Sequence, residues 1–510
     1  MMKTILYTLT LALTAMTTAA QDVENNWHFE VNGDGTATVI NYEHDTKVWI
    51  NGMETIGTTT YDCYSGDAVI PSVTPEGLTV TGIGKECFRD CDRLTSLTIP
   101  GTVKTIGDAA IWGCDNLKEI VIPSSVEVMG SNAVVWCDSV EKLIIEDSPN
   151  TLEIPSGYEM FRTLKSLQYI YQGRNIVSND NTWKQVFRSM NGPVETVEQG
   201  PQVTQIEAGE FESNKSLKTV KLSPNMTVIP TNAFYGCEAL EDVDACAIAS
   251  IGENAFNYCY ALKATPDLSH CKEILQWAFA HCKAIERVVI SSSVDTLGYG
   301  AFYDNDALTE LIIEDYDRPL KVGSSGMFRD ANSNLKKAYF GRNAESANYL
   351  QYGIIEDNPS VEEITFAGSC SYLRGSEFAG CKSLKTVRLG ANMKEISAHA
   401  FGWSSQPLEQ LTKLICEAVE PPVCKDYALD AIDKEKCVLY VPTESIELYR
   451  DANEWKKFFE TQTSVNGIQP DATTIAASFT LGGQRATGVQ HGLIIQRMSN
   501  GTTRKVIINN

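Results

Sequence analysis

Apolar residues recur along most of this chain with a period close to 23 residues. The segment 83–105 reads IGKECFRDCDRLTSLTIPGTVKT, and the segment 106–128 repeats it as IGDAAIWGCDNLKEIVIPSSVEV, so that Cys91 aligns with Cys114. A fixed period in the 20s is typical of a solenoid, because one unit is too small to bury its own apolar face and therefore stacks on its neighbours.

Each unit contains the pattern Leu-x-x-Leu-x-Ile, whose in-out-in alternation predicts one short strand per coil. The IG-x-x-AF-x-x-C segment supplies the return path, for which we expect a turn of α- or 3₁₀-helix. With the second apolar residue of the pattern as a marker, successive coils lie close to one period apart, and several coils are slightly longer. The fourteen markers are Leu97, Ile120, Leu143, Ile170, Val197, Val220, Val243, Thr265, Val288, Leu311, Ala338, Ile364, Val387 and Leu414. They predict a solenoid of about fourteen coils, α/β or mostly β, with the strands in a parallel sheet.

A longer repeat is superimposed on the coil period. LIIEDS at 143–148 recurs as LIIEDY at 311–316, and the Gly-Arg-Asn sequence at 173–175 recurs at 341–343, which is the same displacement along the chain. EFESNKSLKTVKL from Glu210 and EFAGCKSLKTVRL from Glu377 extend the similarity. A block of six coils is therefore duplicated, and any surface site within it is expected to occur twice.

The unit IG-x-x-AF-x-x-C-x-x-L-x-x-I-x-IP-x-SV resembles the BspA-like leucine-rich repeat family of secreted and surface bacterial proteins. The resemblance covers about residues 60–460 and implies a leucine-rich-repeat solenoid. Ile111 and Val134, where phenylalanine is usual, and Asp267, where isoleucine is usual, depart from the pattern as packing variations. Members resembling this chain are associated with adhesion to host matrix proteins or other cells, so the resemblance implies a binding protein.

The segments that flank the repeats predict caps. Strand-like alternation on both sides of the Asn-Gly-Asp-Gly sequence at 32–35 indicates a hairpin within an N-terminal β cap at 21–80. The repeats are assigned to 81–415 and a C-terminal cap to 416–463. In the C-terminal cap we expect one apolar helical face to close the last coil. That face consists of Tyr449, Trp455, Phe458 and Phe459.

Both chain ends indicate export. Residues 1–20 have the pattern of a signal peptide, with Lys3 before a short apolar core and a cut expected before Gln21; a buried N-terminal strand is the alternative. Residues 464–510 predict a linker and a β-tail that resembles the tails of exported Bacteroidetes proteins, some of which are sorting signals. A small β-module without a sorting role is the alternative. We expect a secreted or cell-surface protein without membrane insertion.

The net charge of the chain argues against polyanionic partners. The chain has 42 Lys and Arg against 65 Asp and Glu, which gives a net charge of −23. A field of this sign repels phosphate backbones and anionic membrane surfaces, so nucleic acid is not an expected partner.

Seven of the 15 cysteines occupy one position of the repeat, three residues after the phenylalanine position. They are Cys91, Cys114, Cys137, Cys237, Cys259, Cys282 and Cys381. Two other coils have Asn214 and Asn305 at this position. A column shared by cysteine and asparagine predicts a buried side chain that bonds to loop backbone, as a thiol rather than a disulfide. Pairing stays open for Cys63 and the other cysteines outside the column.

Motifs for catalysis are missing from the sequence: it has no P-loop, HExxH, GxSxG or GxGxxG. We expect no enzymatic activity and no cofactor. The His-Cys pairs at 270–271 and 281–282 are of the types that zinc uses, but the second pair includes a cysteine of the structural column, and we expect no metal site. Glu-Asp pairs at 146–147 and 314–315 are interpreted as solvated turns.

Residues on either side of each marker point out of the core, across the exposed face of the predicted sheet. A spacing of about 4.8 Å between coils places Ile144 beside Tyr171 and Ile312 beside Tyr339. Aromatic rings next to aliphatic side chains are used in protein and sugar recognition, although strands also favour such residues for packing. The candidate ligand-binding residues are Ile144, Tyr169, Tyr171, Ile312, Lys337 and Tyr339. We expect an extracellular protein partner in adhesion; a glycan captured for nutrition, or a purely structural envelope role, are the alternatives.

Overall fold

The structure is a computed structural model that describes residues 27–41, 64–156, 160–180, 182, 184–323, 334–346, 354–461 and 465–468. It also describes the backbone of the strands Thr8–Leu9, Glu43–Ile50, Met53–Tyr61, Ile475–Thr480, Gly492–Met498 and Thr503–Ile508. The chain divides into two compact units, the N-terminal unit Met1–Asp267 and the C-terminal unit Leu268–Asn510. Each unit is a mostly β, parallel-strand solenoid, and together they contain about fifteen turns, close to the predicted fourteen.

In each unit the Leu-x-x-Leu-x-Ile segments form a parallel sheet, as predicted, which we call the front sheet of that unit. In the N-terminal unit its strands are Glu119–Ile122, Lys142–Ile145, Tyr169–Arg174, Thr196–Gln202, Thr219–Lys221 and Asp242–Asp244. In the C-terminal unit they are Arg287–Ile290, Glu310–Ile313, Lys337–Phe340, Glu363–Phe366, Thr386–Leu389, Lys413–Cys416, Val438–Pro442 and Val465–Ile468. Markers of adjacent front strands pair with one another, as the buried Leu143 does with Ile170. Two markers depart from the prediction: Thr265 is not in a strand, and Leu97 pairs with Ala68 of the strand Gly66–Val69.

A second column of short parallel strands forms a back sheet, which corrects the prediction of one strand per coil. Its strands in the N-terminal unit are Val80–Ile83, Thr105–Ile106, Val128–Met129, Leu152–Ile154, Ile176–Ser178, Val228–Ile229 and Ser250–Ile251. In the C-terminal unit they are Glu273–Ile274, Thr296–Leu297, Leu320–Val322, Ala344–Ser346, Tyr372–Leu373, Glu395–Ile396 and Val423–Cys424. Most have two or three residues, which is too short for alternation to be visible in the sequence.

Between each back strand and the next front strand the chain runs around the phenylalanine position, on a side that we call the turn face. In the described coils this side contains turns instead of the predicted helical turn. Two positions have left-handed backbone in most coils, two residues before and two residues after the phenylalanine, as at Asn232 (φ 56°) and Gly236 (φ 69°) around Phe234. This backbone costs most residues about 1–2 kcal/mol but is accessible to Gly, Asn and Asp, which explains their frequency there.

The phenylalanines stack along the core of each unit. Phe187 and Phe211, one coil apart, have ring centroids 5.8 Å apart and planes within 4° of parallel. Where isoleucine and valine replace the phenylalanine, the short strands Ile111–Trp112 and Val134–Val135 pair in parallel instead. This change of local structure follows from the preference of β-branched side chains for extended backbone.

The cysteine column is buried and bonded to backbone, as predicted. Cys237 Sγ donates to the main-chain oxygen of Phe211, one coil earlier, at 3.1 Å. In another coil Asn214 Nδ2 donates to the oxygen of Phe187 at 2.6 Å. Burial raises the pKa of Cys237 to about 12, so its thiol keeps the proton that it donates. All 14 cysteines of the described residues are thiols, and Cys63 lies outside those residues.

At the N-terminal side, Trp27–Val31 and Ala37–Ile40 form an antiparallel hairpin around the Asn-Gly-Asp-Gly turn, and the second strand pairs with Val80–Ile83 of the back sheet. Three further strand pairs are Gly66–Val69 with Leu94–Thr98, Glu43–Ile50 with Met53–Tyr61, and Thr8–Leu9 with Trp27–Val31. Apart from the backbone of Thr8–Leu9, the predicted signal peptide at 1–20 lies outside the described residues.

Near the C-terminus a helical segment packs onto the preceding coil. It consists of the 3₁₀ turn Thr443–Ser445, the α-helix Ile446–Asp451 and the 3₁₀ turn Trp455–Phe458. Tyr449, Trp455 and Phe458 are buried, and Phe459 is half-buried. The tyrosine hydroxyl donates to the oxygen of Ala418 at 2.8 Å and the indole N–H to that of Pro422 at 2.9 Å. Within the described ranges, no helix is long and apolar enough to cross a membrane.

The β-tail contains an antiparallel three-stranded sheet. Its strands are Ile475–Thr480, Gly492–Met498 and Thr503–Ile508, with the second strand in the middle. The linker predicted at 464–477 overlaps the first of these strands at 475–477, and its residues 464 and 469–474 lie outside the described residues.

Candidate functional site

Ile144, Tyr169 and Tyr171 lie together on the front sheet of the N-terminal unit, within a stretch that we call the first copy (residues 119–222). Ile144 pairs with Tyr171 across adjacent strands, in the predicted register. Lys142 lies one coil before Tyr169, with its Nζ 5.7 Å from the centroid of the tyrosine ring. All three predicted side chains are half-buried. The first copy therefore presents two partly exposed aromatic rings and one aliphatic side chain on this face.

Ile312, Lys337 and Tyr339 lie at the equivalent place of the second copy (residues 287–389), in the C-terminal unit. Ile312 pairs with Tyr339 in the predicted register. A shallow concavity of about 460 Å³ opens over these strands, with Val289, Ile312 and Tyr339 among its less polar lining residues. Its charged lining residues are Arg287, Lys337, Glu310, Glu314, Asp315 and Glu363. The structure therefore brings all three predicted residues of this copy to one depression.

In each copy a tyrosine hydroxyl donates a hydrogen bond to an aspartate of the preceding coil. Tyr171 Oη donates to Asp147 Oδ2 at 2.9 Å, and Tyr339 Oη donates to Asp315 Oδ1 at 2.9 Å. Burial, reinforced by the bond to Asp147, raises the pKa of Tyr171 to about 12. The hydroxyl is therefore a donor at every physiological pH, and the ring is fixed in one orientation.

A buried arginine and a glutamate hold the turn that follows the front strand Glu119–Ile122. The guanidinium of Arg174, which is 0% exposed, donates to the oxygens of Val126 at 2.7 Å and Pro123 at 2.8 Å. Glu146 Oε2 accepts the N–H of Ser124, in the same turn, at 2.9 Å. Both the carbonyls and an amide of the turn thus have charged partners from later coils.

The second copy repeats this arrangement. Arg342 donates to the oxygens of Val294 at 2.8 Å and Ser291 at 3.0 Å, and Glu314 Oε2 accepts the N–H of Ser292 at 3.0 Å. The Glu-Asp pairs interpreted as solvated turns are partly exposed, and each carboxylate also accepts a hydrogen bond from another coil. The joint recurrence of LIIED and Gly-Arg-Asn at one and the same displacement was the sequence signal for this network.

A buried glutamate occupies the equivalent position of each copy, Glu210 in the first and Glu377 in the second. Glu210 Oε1 accepts the N–H groups of Val186 at 3.0 Å and Phe187 at 3.2 Å, and Glu377 Oε1 accepts that of Ile354 at 3.1 Å. Both side chains are under 5% exposed. Burial raises the pKa of each carboxyl to about 7, although the backbone hydrogen bonds oppose the shift. These two groups therefore titrate near neutral pH.

Ion pairs connect successive coils across the front face. Lys142 lies 3.7 Å from Glu119 in the first copy, and Arg287 lies 2.6 Å from Glu310 in the second copy. Because all four side chains are well exposed, each pair contributes at most about 1 kcal/mol to stability. Their larger effect is on the pattern of charge that a ligand meets.

Sequence reasoning missed a second set of exposed aromatic side chains, on the turn face. Trp136, Tyr299, Tyr303, Trp403 and Tyr427 are between 36% and 57% exposed. They stand at the left-handed positions of the coil or close to them. The available signal was the replacement of Gly, Asn or Asp by an aromatic residue in a few coils, but the conformation of those positions becomes visible only in the structure.

The described part of the chain contains no group of three or more His, Cys, Asp or Glu side chains placed to hold a metal ion. The two histidines considered as zinc ligands have other partners. His270 Nδ1 is 3.0 Å from the hydroxyl of Ser269, and His281 Nδ1 is 2.6 Å from Asp304 Oδ2.

A comparison with protein-family models matches the BspA type leucine rich repeat region. The matched segments are 81–183, 157–263, 180–309, 246–352 and 318–413. Together they span well over half of the chain. A comparison with curated proteins gives no match.

Solved structures of bacterial leucine-rich repeat proteins are similar to this chain. One from Bacteroides ovatus is 19% identical, with a TM-score of 0.41, over 88% of this chain and 100% of that protein. A leucine-rich repeat protein of T. pallidum is 21% identical, with a TM-score of 0.28, over 46% of this chain and 87% of that protein. A leucine rich cell surface protein from Faecalibacterium prausnitzii is 18% identical, with a TM-score of 0.23, over 82% of this chain and 94% of that protein.

Proposed function

Since the chain belongs to the BspA-type leucine-rich repeat family, we propose that it is an exported protein that binds an extracellular protein ligand on its front sheet. Leucine-rich repeat proteins are generally binding scaffolds without catalytic activity. The role that we infer is adhesion to host matrix proteins or to other cells. The observation that carries the proposal is the concavity over the front strands of the second copy.

The lining of this concavity suits a peptide segment with both apolar and basic side chains. Ile312 and Tyr339 offer apolar contact at adjacent positions of neighbouring strands. The charged lining has two basic and four acidic side chains, a net charge of −2, in a protein whose own net charge is −23. Charge complementarity of this kind steers association and excludes partners of the wrong sign. A basic segment of an extracellular protein is therefore the preferred ligand.

The test uses the purified protein against immobilised collagen, laminin and fibronectin, with surface plasmon resonance as the readout. An Ile312→Ala/Tyr339→Ala variant removes the adjacent apolar contacts from the second copy without changing its charge, and an Ile144→Ala/Tyr171→Ala variant is the matched change in the first copy. We expect saturable binding to at least one of these proteins, weakened tenfold or more by the second-copy variant and less by the first-copy variant.

Circular dichroism of both variants must match that of the unchanged protein. Binding that survives in both folded variants would contradict the front sheet as the site. A failure to bind any protein, together with saturable binding of soluble polysaccharide, would favour glycan capture instead. A failure to bind either class would favour a structural role.

A further inference from the structure

The turn face of the C-terminal unit carries a group of aromatic rings that the proposed protein site does not use. This turn-face cluster consists of Trp277, His281, Tyr299 and Tyr303. The centroid of the indole lies 5.0 Å from that of Tyr299 and 5.3 Å from that of Tyr303, and the imidazole lies 5.7 Å from Tyr303. Tyr299 is 44% exposed and Tyr303 is 36% exposed. The rings therefore form one contiguous surface that is open to solvent.

Two members of the cluster occupy left-handed backbone. Trp277 has φ 57° and His281 has φ 58°, two residues before and two residues after the phenylalanine position. At the position that Trp277 takes, other coils have Gly209 and Asn232, but also Glu86, Ala109 and Ser376. The turn therefore forms with much smaller residues and does not require a tryptophan, whose indole lies against Gly300 of the next coil.

Charged groups border the rings. Asp304 Oδ2 lies 2.6 Å from His281 Nδ1 and 2.5 Å from Lys283 Nζ, and the same ammonium lies 2.8 Å from Asp306 Oδ2. The imidazole is thereby held in one orientation, and hydrogen-bond donors and acceptors lie within a side chain's length of the exposed rings. The rings meet edge to face, with interplanar angles of 80–88°, and they occur together with polar groups at this place, which is the combination that a polyhydroxylated ligand requires.

We propose that the turn-face cluster is a binding subsite for a neutral glycan. The C–H faces of its pyranose rings stack on Tyr299 and Tyr303, and its hydroxyl groups bond to the charged border. The two tyrosines and part of the indole expose about 200–300 Å², well below the roughly 800 Å² that each partner brings to a standard protein interface. The net charge of −23 and the two bordering aspartates disfavour an anionic glycan.

A second aromatic group on the turn face of the same unit supports the proposal independently. His399 (φ 53°) and Tyr427 (φ 63°) lie two residues before the phenylalanine position in consecutive coils, a position that Phe401 and Leu429 occupy. The imidazole stacks on Tyr427 at 5.5 Å and on Trp403 at 5.6 Å. Trp403 and Tyr427 are 43% and 57% exposed. Two ring surfaces on one unit suit a polymer that extends over several coils.

Affinity electrophoresis of the full chain tests this subsite, in gels that contain glucomannan, xyloglucan or laminarin, with polygalacturonate as the anionic probe. We expect at least one neutral polysaccharide to retard the protein saturably. A Tyr299→Ala/Tyr303→Ala variant should bind it at least tenfold more weakly. Tyr339→Ala, the matched loss of a ring from the front sheet, should bind it unchanged. This control also separates the two sites, because the proposed protein binding depends on Tyr339.

Trp277→Asn gives a second, fold-preserving test, since asparagine suits the left-handed backbone. We expect the polysaccharide affinity to fall at least tenfold while the unfolding midpoint stays the same or rises. A lowered midpoint with full affinity would assign the tryptophan a structural role and overturn the proposal. No retardation by any neutral polysaccharide, retardation by polygalacturonate alone, or equal retardation of the double variant and the unchanged protein would also overturn it.

Discussion

The two copies of the duplicated block are alike in their buried polar residues and differ in their exposed charges. Both copies have the buried arginine, the glutamate that holds a turn and the tyrosine on its aspartate. On the front face, however, Glu119 of the first copy corresponds to Arg287 of the second, and Lys142 corresponds to Glu310. The ion pair between neighbouring coils is present in both copies with its sign reversed.

The buried residues that both copies share are required by the fold, whereas the exposed charges that differ are not. A turn carbonyl in the core must have a donor, so the arginine is needed in both copies. An exposed ion pair stabilises equally well in either direction, so its sign can follow the needs of a ligand. Tyr169 in the first copy, where the second has Lys337, is a further change of this kind. We therefore expect stability to respond equally in the two copies and binding to respond unequally.

The largest effect is expected when the buried arginine is removed from either copy. Arg174→Met leaves the oxygens of Pro123, Ser124 and Val126 without their donor, and Arg342→Met does the same to the second copy. Unsatisfied buried groups cost about 1–3 kcal/mol each, so we expect a loss of about 3 kcal/mol or more in both variants, measured by urea unfolding.

Hydrogen exchange locates the damage, which should be confined to the turn 123–126 in the first variant and 291–294 in the second. Arg174→Lys is the control: it restores the charge but not the fork of donors, and should recover only part of the stability. If only one of the two arginine substitutions lowered the free energy of unfolding, the two copies would not be equivalent.

The next largest effect is a pH dependence that the buried glutamates impose. The folded pKa of Glu210 and Glu377 is about 7, above the ordinary 4.5, so the folded protein retains protons that the unfolded chain releases between these pH values. Stability is therefore fully present below about pH 4.5 and falls as the pH rises to about 7, by up to about 3 kcal/mol per carboxyl.

Replacement of either glutamate by glutamine removes this loss, because the amide oxygen can accept the same N–H groups without ionising. Glu210→Gln and Glu377→Gln should match the unchanged protein in urea unfolding at pH 5 and exceed it at pH 8. The exposed Glu238→Gln serves as the control and should show no such difference. The prediction would be wrong if a glutamine variant, compared with the unchanged protein, were no more stable at pH 8 than it is at pH 5.

A smaller effect sharpens the comparison at the cysteine column, where Asn214 of the first copy corresponds to Cys381 of the second. Asn214 donates to Phe187 and also accepts the N–H of Met190 at 2.8 Å, whereas Cys381 Sγ donates to Ile355 at 3.4 Å. Asn214→Cys should keep the donor and lose the acceptor, at a cost of about 1–2 kcal/mol in urea unfolding. Asn214→Ala should lower the stability further. Equal losses of stability in the two variants would show that the hydrogen bond of the thiol does not stabilise the fold.

The smallest effect concerns the tyrosine hydroxyls. Tyr171→Phe and Tyr339→Phe remove one partly exposed hydrogen bond each, so we expect losses of about 0.5–1 kcal/mol in both copies, measured as shifts of the thermal midpoint. A loss several times larger than this would make the tyrosine part of the support of the fold. It would then be unsuitable as evidence for a binding face.

The regular parts of the fold were predictable from the sequence because their signals repeat. Twelve of the fourteen markers lie in front strands. Their repeated pattern determines the register, and therefore the pairing of Ile144 with Tyr171 and of Ile312 with Tyr339. The shared cysteine and asparagine column also identified a buried donor to backbone.

The features that escaped prediction depend on single contacts between distant coils. Arg174 bonds to a turn two coils earlier, and nothing in its local sequence marks it as buried. The back strands are too short to show alternation. Trp277 has a left-handed backbone angle that composition does not reveal. The identity of the ligand could not be predicted for a related reason. The residues of a binding surface suit a partner, and that partner is not part of the chain.

The most direct test of the front sheet as the binding face is hydrogen exchange of the protein with and without the matrix protein that binds it among collagen, laminin and fibronectin. We expect slower exchange in the front strands Glu310–Ile313 and Lys337–Phe340 of the second copy, with little change in the equivalent strands of the first. Protection confined to the first copy, the back sheet or the turn face would contradict it.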